Sequence, residues 1–274
     1  MAASSISFGV KILVMGGTRF VGKPLVAQLL SEGHQLTLFT RGKNPVPAGV
    51  EHLCGDRSSA EGLAALQGRS FDVIVDSSGR TLDDSRAVIE RTGAPSHRFL
   101  YVSSAGVYAD SELWTLTEDS PTDPQSRHSG KLDTEAWLQA ERIPFTSFRP
   151  TYIVGAGNYN PVESWFFDRI AHGRPVPLPG DGDTITQLGH VNDLAAAMAR
   201  SRSRNFGPMA PCTARAAPSA IGASKGRTVC GCPPRLVRPM AAALWRTARY
   251  NVIRRPGVNP CRRAIHCRAC SRRP

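Results

Sequence analysis

Residues 11–22 read Lys-Ile-Leu-Val-Met-Gly-Gly-Thr-Arg-Phe-Val-Gly, and this stretch decides the fold. Lys11–Met15 is a short apolar run ending on glycines, the pattern of a strand buried on both faces of a parallel sheet. Val21, Leu25, Val26, Leu29 and Leu30 then recur on one helical face, and Gly33 stops that helix. Between strand and helix stand Gly16, Gly17, Thr18, Arg19, Phe20, Val21 and Gly22. In such a turn, backbone amides can approach a pyrophosphate, because glycine puts no side chain in the way and the helix N-terminus favours negative charge. All seven residues are therefore candidate cofactor-binding residues.

Further apolar runs follow at 35–40, 71–76 (FDVIVD), 98–103 (RFLYVS) and 144–149, with helical segments between them. Strands alternating with helices at this spacing predict an α/β fold, a Rossmann-type doubly wound parallel sheet over residues 9–200. Ligands of such sheets sit beyond the carboxyl ends of the strands. The second strand ends in Thr40-Arg41-Gly42-Lys43, where an NAD site usually has an acid for the ribose 2′-hydroxyl. Arg41 and Lys43 suit a 2′-phosphate instead, so the expected cofactor is NADP or NAD, with NADP favoured. Asp56, after the third strand, stands where a carboxylate can meet the adenine amine.

The net charge of +12 suggests a nucleic-acid footprint until its distribution is read. Residues 1–200 carry 18 Lys and Arg against all 22 Asp and Glu, a net of −4, whereas residues 201–274 carry 16 Arg and Lys and no acid. The basic balance thus belongs to the tail and says nothing about the domain. Six of the seven cysteines also lie beyond 200, and the segment has no sustained helical or strand period apart from an apolar run near Met240 to Trp245. The tail reads as disordered, or as translation in a shifted frame, which leaves the C-terminal substrate region incomplete. Cys230, Cys232, Cys261, His266, Cys267 and Cys270 hold the right elements for zinc, but Cys230-x-Cys232 has the wrong spacing for a usual knuckle, and no metal is expected. No run of 18 apolar residues exists, so no membrane span is expected, and the first eight residues are too short and uncharged for a leader.

Ser103-Ser104-Ala105-Gly106-Val107-Tyr108 follows the fifth strand, Arg149-Pro150 leads into Thr151-Tyr152-Ile153-Val154-Gly155, and His190-Val191-Asn192-Asp193-Leu194-Ala195 comes late. In these pieces and their order the chain resembles the extended short-chain dehydrogenases, the NAD-dependent epimerase/dehydratase family. The resemblance implies that Ser104, four residues before Tyr108, is catalytic, that Ser103 and Pro150 bind the cofactor, and that the segment Thr151 to Gly155 borders the nicotinamide. It also implies a proton-carrying Tyr four residues before a Lys that holds the cofactor ribose. The matching stretch is Arg127-His128-Ser129-Gly130-Lys131, so Lys131 is present but Arg127 stands at the tyrosine position. An arginine stays protonated near neutral pH and cannot shuttle a proton. His128 can titrate, yet on a helix it would be turned about 100° from the tyrosine direction.

Gly-Gly-Thr-Arg-Phe-Val-Gly, Thr-Arg-Gly-Lys and His-Ser-Gly-Lys together resemble one branch of that superfamily, the chloroplast stem-loop-binding proteins and their cyanobacterial relatives. This implies an RNA-linked role, for which Arg41, Lys43, Arg127 and Lys131 are the candidate cluster. The alternatives are an active nucleotide-sugar epimerase, dehydratase or reductase, which needs a proton donor other than Arg127, and a cofactor-sensing scaffold without chemistry. The expected partners are a dinucleotide, with RNA or a nucleotide-sugar as the second ligand. The expected location is the cytoplasm for a bacterial form and the plastid stroma for a processed plant or algal one.

Overall fold

The computed structural model describes residues 9–111, 116–177 and 186–202. Six strands form one parallel sheet: β1 (Lys11–Met15), β2 (Gln35–Thr40), β3 (Glu51–Cys54), β4 (Val73–Asp76), β5 (Arg98–Val102) and β6 (Phe145–Phe148). Their order is β3-β2-β1-β4-β5-β6, so the chain winds one way from β1 and then returns past it to β4. That reversal opens a crevice between the carboxyl ends of β1 and β4, where open α/β sheets take their ligands. The expected fold class is the observed one.

The alternation along β1 explains the layers. Ile12 and Val14 pack with Leu25, Val26 and Leu29 of α1 (Gly22–Ser31) on one face of the sheet. Leu13 and Met15 pack on the other face with Val88 and Ile89 of α2 (Leu82–Thr92) and Leu138 of α3 (Ser129–Ala140). α5 (Val191–Arg200) joins the first layer through Leu194, Ala195, Met198 and Ala199. Gly33 (φ 79) ends α1 as expected, its N–H donating to the Leu30 carbonyl at 3.0 Å. β1 and β2 match the apolar runs that announced them, whereas β4, β5 and β6 are shorter than theirs. β4 starts at Val73 because the Phe71 carbonyl serves the loop amide of Ser96, and β6 starts after Pro144, which has no N–H to give.

β7 (Tyr152–Val154) and β8 (Leu188–His190) pair as a separate two-stranded sheet, and the His190 side chain caps α5 by accepting from the Asn192 N–H. The chain divides into two compact units, the first holding residues up to Asn158 and again from Gly189. Among the described residues the second unit contains α4 (Val162–Ala171), none of whose side chains is buried. No helix among the described residues is long and apolar enough to cross a membrane. The expectations for the basic tail, its cysteines and the run near Met240 fall on residues outside those described.

The sheet and α1 meet at glycine. A Cβ on Gly22 would lie 2.5 Å from the Cα of Gly17, which is backbone and cannot swing aside. Gly22→Ala should therefore destabilise the full chain by about 1–3 kcal/mol, lowering Tm by roughly 2–4 °C for each of those kcal/mol. Lys23→Ala, one residue on and exposed, should stay within about 0.5 kcal/mol of wild type in the same urea and thermal unfolding series.

Candidate functional site

The site begins at the end of β1. Gly16 (φ 106) and Gly17 (φ 94) occupy backbone conformations that side chains rarely adopt, and the Gly16 N–H donates to the Phe39 carbonyl at 3.0 Å. Thr18 is buried and Arg19 exposed. Phe20 has φ 36, a strained value for a non-glycine residue. It is held by a tight turn in which Gly22 N–H donates to the Arg19 carbonyl and Lys23 N–H to the Phe20 carbonyl. α1 has no side-chain N-cap and no acid in its first turn, which leaves its positive end to an external anion.

At the end of β2, Gly42 (φ 72) separates Arg41 from Lys43, and its N–H donates to Thr40 Oγ1 at 3.1 Å. Thr40 Oγ1 also lies 2.8 Å from His52 Nε2 on β3. Asp56 follows β3, and its Oδ1 accepts from both the N–H and the hydroxyl of Ser58. Those bonds hold its carboxyl below the usual range, and the charges of Arg41 and Lys43 add to the effect. Three residues taken from two separate stretches of sequence thus share one exposed corner.

The end of β4 holds a network that no motif announced. Asp76 is fully buried, and Arg57 grips it in a fork, Nη1 to Oδ1 at 2.7 Å and Nη2 to Oδ2 at 2.8 Å. Asp76 also accepts from the N–H groups of Ser78 and Gly79 and from Ser85 Oγ. Arg57 donates further to Ser78 Oγ and to the Asp84 carbonyl. Burial alone would raise the Asp76 pKa, but the Arg57 charge and these bonds hold it below the ordinary value. The one sequence signal was the acid that closes FDVIVD.

Lys131 reaches the same turn from α3. Its ammonium donates to the Gly79 carbonyl at 2.9 Å and the Val102 carbonyl at 2.7 Å, and lies 5.0 Å from the Tyr101 ring centre. Burial pushes its pKa down to about 8, against the opposing charges of Asp76 and Glu135. An ammonium has three donors, so one remains for a ribose hydroxyl.

At the end of β5, Ser103 is buried and its Oγ finds no protein partner among the described residues. Ser104 Oγ caps the short turn Ala105–Val107 by accepting from Gly106 N–H, and the Ala105 N–H donates to the Pro150 carbonyl at 2.9 Å. Pro150 follows β6, whose end is pinned by a buried pair: Arg149 Nη2 lies 2.5 Å from Glu135 Oε2, and its guanidinium sits 5.0 Å from the Tyr108 ring centre. The Ser126 hydroxyl donates to the Gly106 carbonyl and accepts from the His128 N–H. This seats the His128 ring on Gly106: a Cβ there would lie 2.7 Å from His128 Cδ2, 3.1 Å from its Nε2 and 3.3 Å from Ser104 Oγ. Arg127 Nε donates to His128 Nε2 at 3.1 Å. Burial, with Arg127 and Lys131 adding to it, lowers the His128 pKa and so favours the neutral ring.

The expected helical angle between Arg127 and His128 does not apply. α3 starts at Ser129, with His128 as its cap (φ −106, ψ 12). The Ser126 hydroxyl holds this segment to Gly106 instead, which is why the His128 ring comes to crowd the glycine that Ser104 Oγ also crowds. The residues present fit a dinucleotide: a glycine turn open to a pyrophosphate, a buried hydroxyl with no protein partner among the described residues, and an amine with a spare donor.

Comparison with known proteins gives the same frame. The NAD dependent epimerase/dehydratase family matches residues 12–206. The chain is 45% identical over 203 residues to the chloroplast stem-loop binding protein of 41 kDa b of Arabidopsis thaliana, covering 68% of this chain and 53% of that one. It is 24% identical to the UDP-glucose 4-epimerase of Corynebacterium glutamicum, covering 68% and 69%. The UDP-glucose 4-epimerase of Thermus thermophilus, solved in complex with NAD, superposes with a TM-score of 0.58 at 21% identity, covering 70% of this chain and 74% of that one. The chain spans about half the length of the first curated relatives it matches.

The Arg57–Asp76 fork makes a testable contribution to stability. Asp76 has a folded pKa below the 3.8 of an unperturbed aspartate, so between the two values the unfolded chain binds more protons than the folded one. The stabilisation is complete above pH 3.8 and is lost as pH falls through the folded value. Asp76→Asn strands a buried guanidinium and should cost about 3–5 kcal/mol at pH 7. In urea titrations against pH, its deficit relative to wild type should shrink only below the ordinary aspartate range.

Proposed function

Because this chain belongs to the NAD dependent epimerase/dehydratase family, we propose that it is an atypical member that binds a dinucleotide and RNA but carries little redox or epimerase turnover. The observation that carries this is Arg127. The position four residues before Lys131 holds a permanent cation bonded to His128, where the family resemblance puts a phenol. A bound nicotinamide would supply hydride transfer, but hydride transfer at a carbinol carbon must be matched by proton transfer at its oxygen. Ser104 can hydrogen-bond that oxygen and Lys131 can grip a ribose hydroxyl, yet serine is a poor base without an activating partner. Loss of general acid–base help alone lowers a rate by roughly 10²–10⁴.

In this reading Gly16 to Gly22 take the pyrophosphate, Arg41 and Lys43 a 2′-phosphate, Asp56 the adenine amine, and Ser103, Pro150 and Lys131 the nicotinamide side. Arg127, with Arg41, Lys43 and Lys131 where the dinucleotide leaves them open, supplies cations at the cleft for RNA phosphates, so the two ligands compete for part of one cluster. A stem-loop-binding relative supports the RNA ligand, and its chloroplastic name supports the plastid stroma for a plant form. The basic segment 201–274 is read as separate from the domain of residues 9–200. One observation favours a second reading, an active nucleotide-sugar enzyme: His128, a titratable ring with a lowered pKa, crowds the same Gly106 as Ser104 Oγ, and becomes a base once Arg127 leaves its Nε2.

Two experiments test these statements. In calorimetry, NADP(H) should bind more tightly than NAD(H) by about 1–3 kcal/mol, the worth of charge-assisted bonds to the 2′-phosphate. The lead should collapse in Arg41→Ala, and equal affinities in wild type would remove the preference.

The second experiment follows nicotinamide absorbance and epimer formation with nucleotide sugars, alongside RNA retention at graded salt. Wild type and variants of the same chain are compared, so that non-specific attraction of RNA by the cations beyond residue 200 is common to all of them. Turnover should be negligible throughout, and Arg127→Ala should weaken RNA binding and flatten its salt slope by about 1. Turnover that survives Arg127→Ala but vanishes in His128→Ala establishes the second reading. An unchanged salt slope in Arg127→Ala and Arg41→Ala removes RNA from this cleft.

A further inference from the structure

Arg57 lies one residue beyond Asp56, yet its guanidinium is spent on a different part of the cleft. It grips both oxygens of Asp76 and donates to Ser78 Oγ and the Asp84 carbonyl, so it ties the loop after β3 to the whole turn between β4 and α2. Asp76 in turn holds the Gly79 N–H at 2.8 Å, and the Gly79 carbonyl receives the Lys131 ammonium at 2.9 Å. The turn tolerates no side chain here, since a Cβ on Gly79 would lie 2.6 Å from Asp76 Oδ2 and 2.9 Å from Ser85 Oγ. An unbroken line of hydrogen bonds therefore runs from the adenine-side loop to the amine on the ribose side. Asp56 itself is held locally by Ser58 and does not depend on this line.

We propose that Arg57 is a positioning residue for dinucleotide binding, which seats the Lys131 amine at the ribose by clamping the β4–α2 turn through Asp76. This rests on the reading of Lys131 as the ribose-holding residue. Arg57 touches no part of the ligand. It fixes the Gly79 carbonyl, and that carbonyl fixes the direction of the donor that Lys131 has left. The alternative, that Arg57 acts only on its neighbour Asp56, predicts a loss at the adenine end.

The test is calorimetry on the full chain with two ligands, NADP(H) and adenosine 2′,5′-bisphosphate, which lacks the nicotinamide ribose. Arg57→Gln, Lys131→Met and their combination form a double-mutant cycle. Arg57→Gln strands a buried carboxylate, so the pair Arg57→Gln/Asp76→Asn, which keeps the shapes without the charges, enters the same cycle in case the single variant does not fold. Each change should weaken NADP(H) binding about tenfold to a hundredfold, the range for a hydrogen bond to a charged group. The bisphosphate should lose less than about threefold, and adding Lys131→Met to an Arg57 variant should weaken NADP(H) little further, as expected of residues acting through one contact. Additive losses, equal losses for both ligands, or unchanged NADP(H) affinity would overturn the assignment. A wild-type chain that binds neither ligand would overturn the dinucleotide reading itself, an outcome plainly distinct from the other three.

Discussion

β1 is apolar on both sides, and that constraint arranges the rest of the molecule. Ile12 and Val14 need cover on one face and Leu13 and Met15 on the other, so helices must cross above and below the strand. Parallel neighbours then come from crossovers of one hand, and β1 becomes the strand from which the chain departs in one direction and past which it returns in the other. The crevice at the carboxyl end of β1 is a geometric result of this winding. The glycines at 16, 17 and 22 are what allow backbone to use it, since a side chain at Gly22 would meet the backbone of Gly17.

Around that crevice, charge is sorted by depth. Arg149 is buried and Arg57 mostly so, and both are answered by the carboxylates of Glu135 and Asp76, so they brace strand ends with their charge neutralised. Arg19, Arg41, Lys43 and Arg127 remain at the exposed surface. A domain with a small acidic excess can in this way still present cations at its ligand cleft. Formal net charge, whether of the whole chain or of the domain, is a poor guide to what this crevice attracts.

The layers and the glycine turn were legible in the sequence because each is a local pattern: an apolar run, a period of 3.6, a glycine after a strand. The position of Arg127 was legible as a spacing. What could not be read is everything made by two distant polar residues meeting. Arg57 and Asp76 are 19 positions apart and Glu135 and Arg149 are 14 apart, and although Arg149-Pro150 stands out as a motif, nothing in it names Glu135 as its partner. Asp76 was in view as the last residue of an apolar run, but its burial depends on a guanidinium arriving from a loop. The orientation of His128 was lost for a related reason. Spacing suggests a helix that reaches back to Arg127, whereas the Ser126 hydroxyl takes the Gly106 carbonyl and holds the chain in another path until Ser129.

That hydroxyl also decides what one substitution can rebuild. In the family pattern, a phenol and an amine work together because one regular helix carries both. Here residue 127 sits on a non-helical stem tied to the turn after β5. An Arg127→Tyr exchange alone would hang a tyrosine on that stem, with the His128 ring already resting on Gly106. A phenol set one helical turn from the amine needs the stem to be released as well, so rebuilding the pair is a change of backbone path before it is a change of side chain.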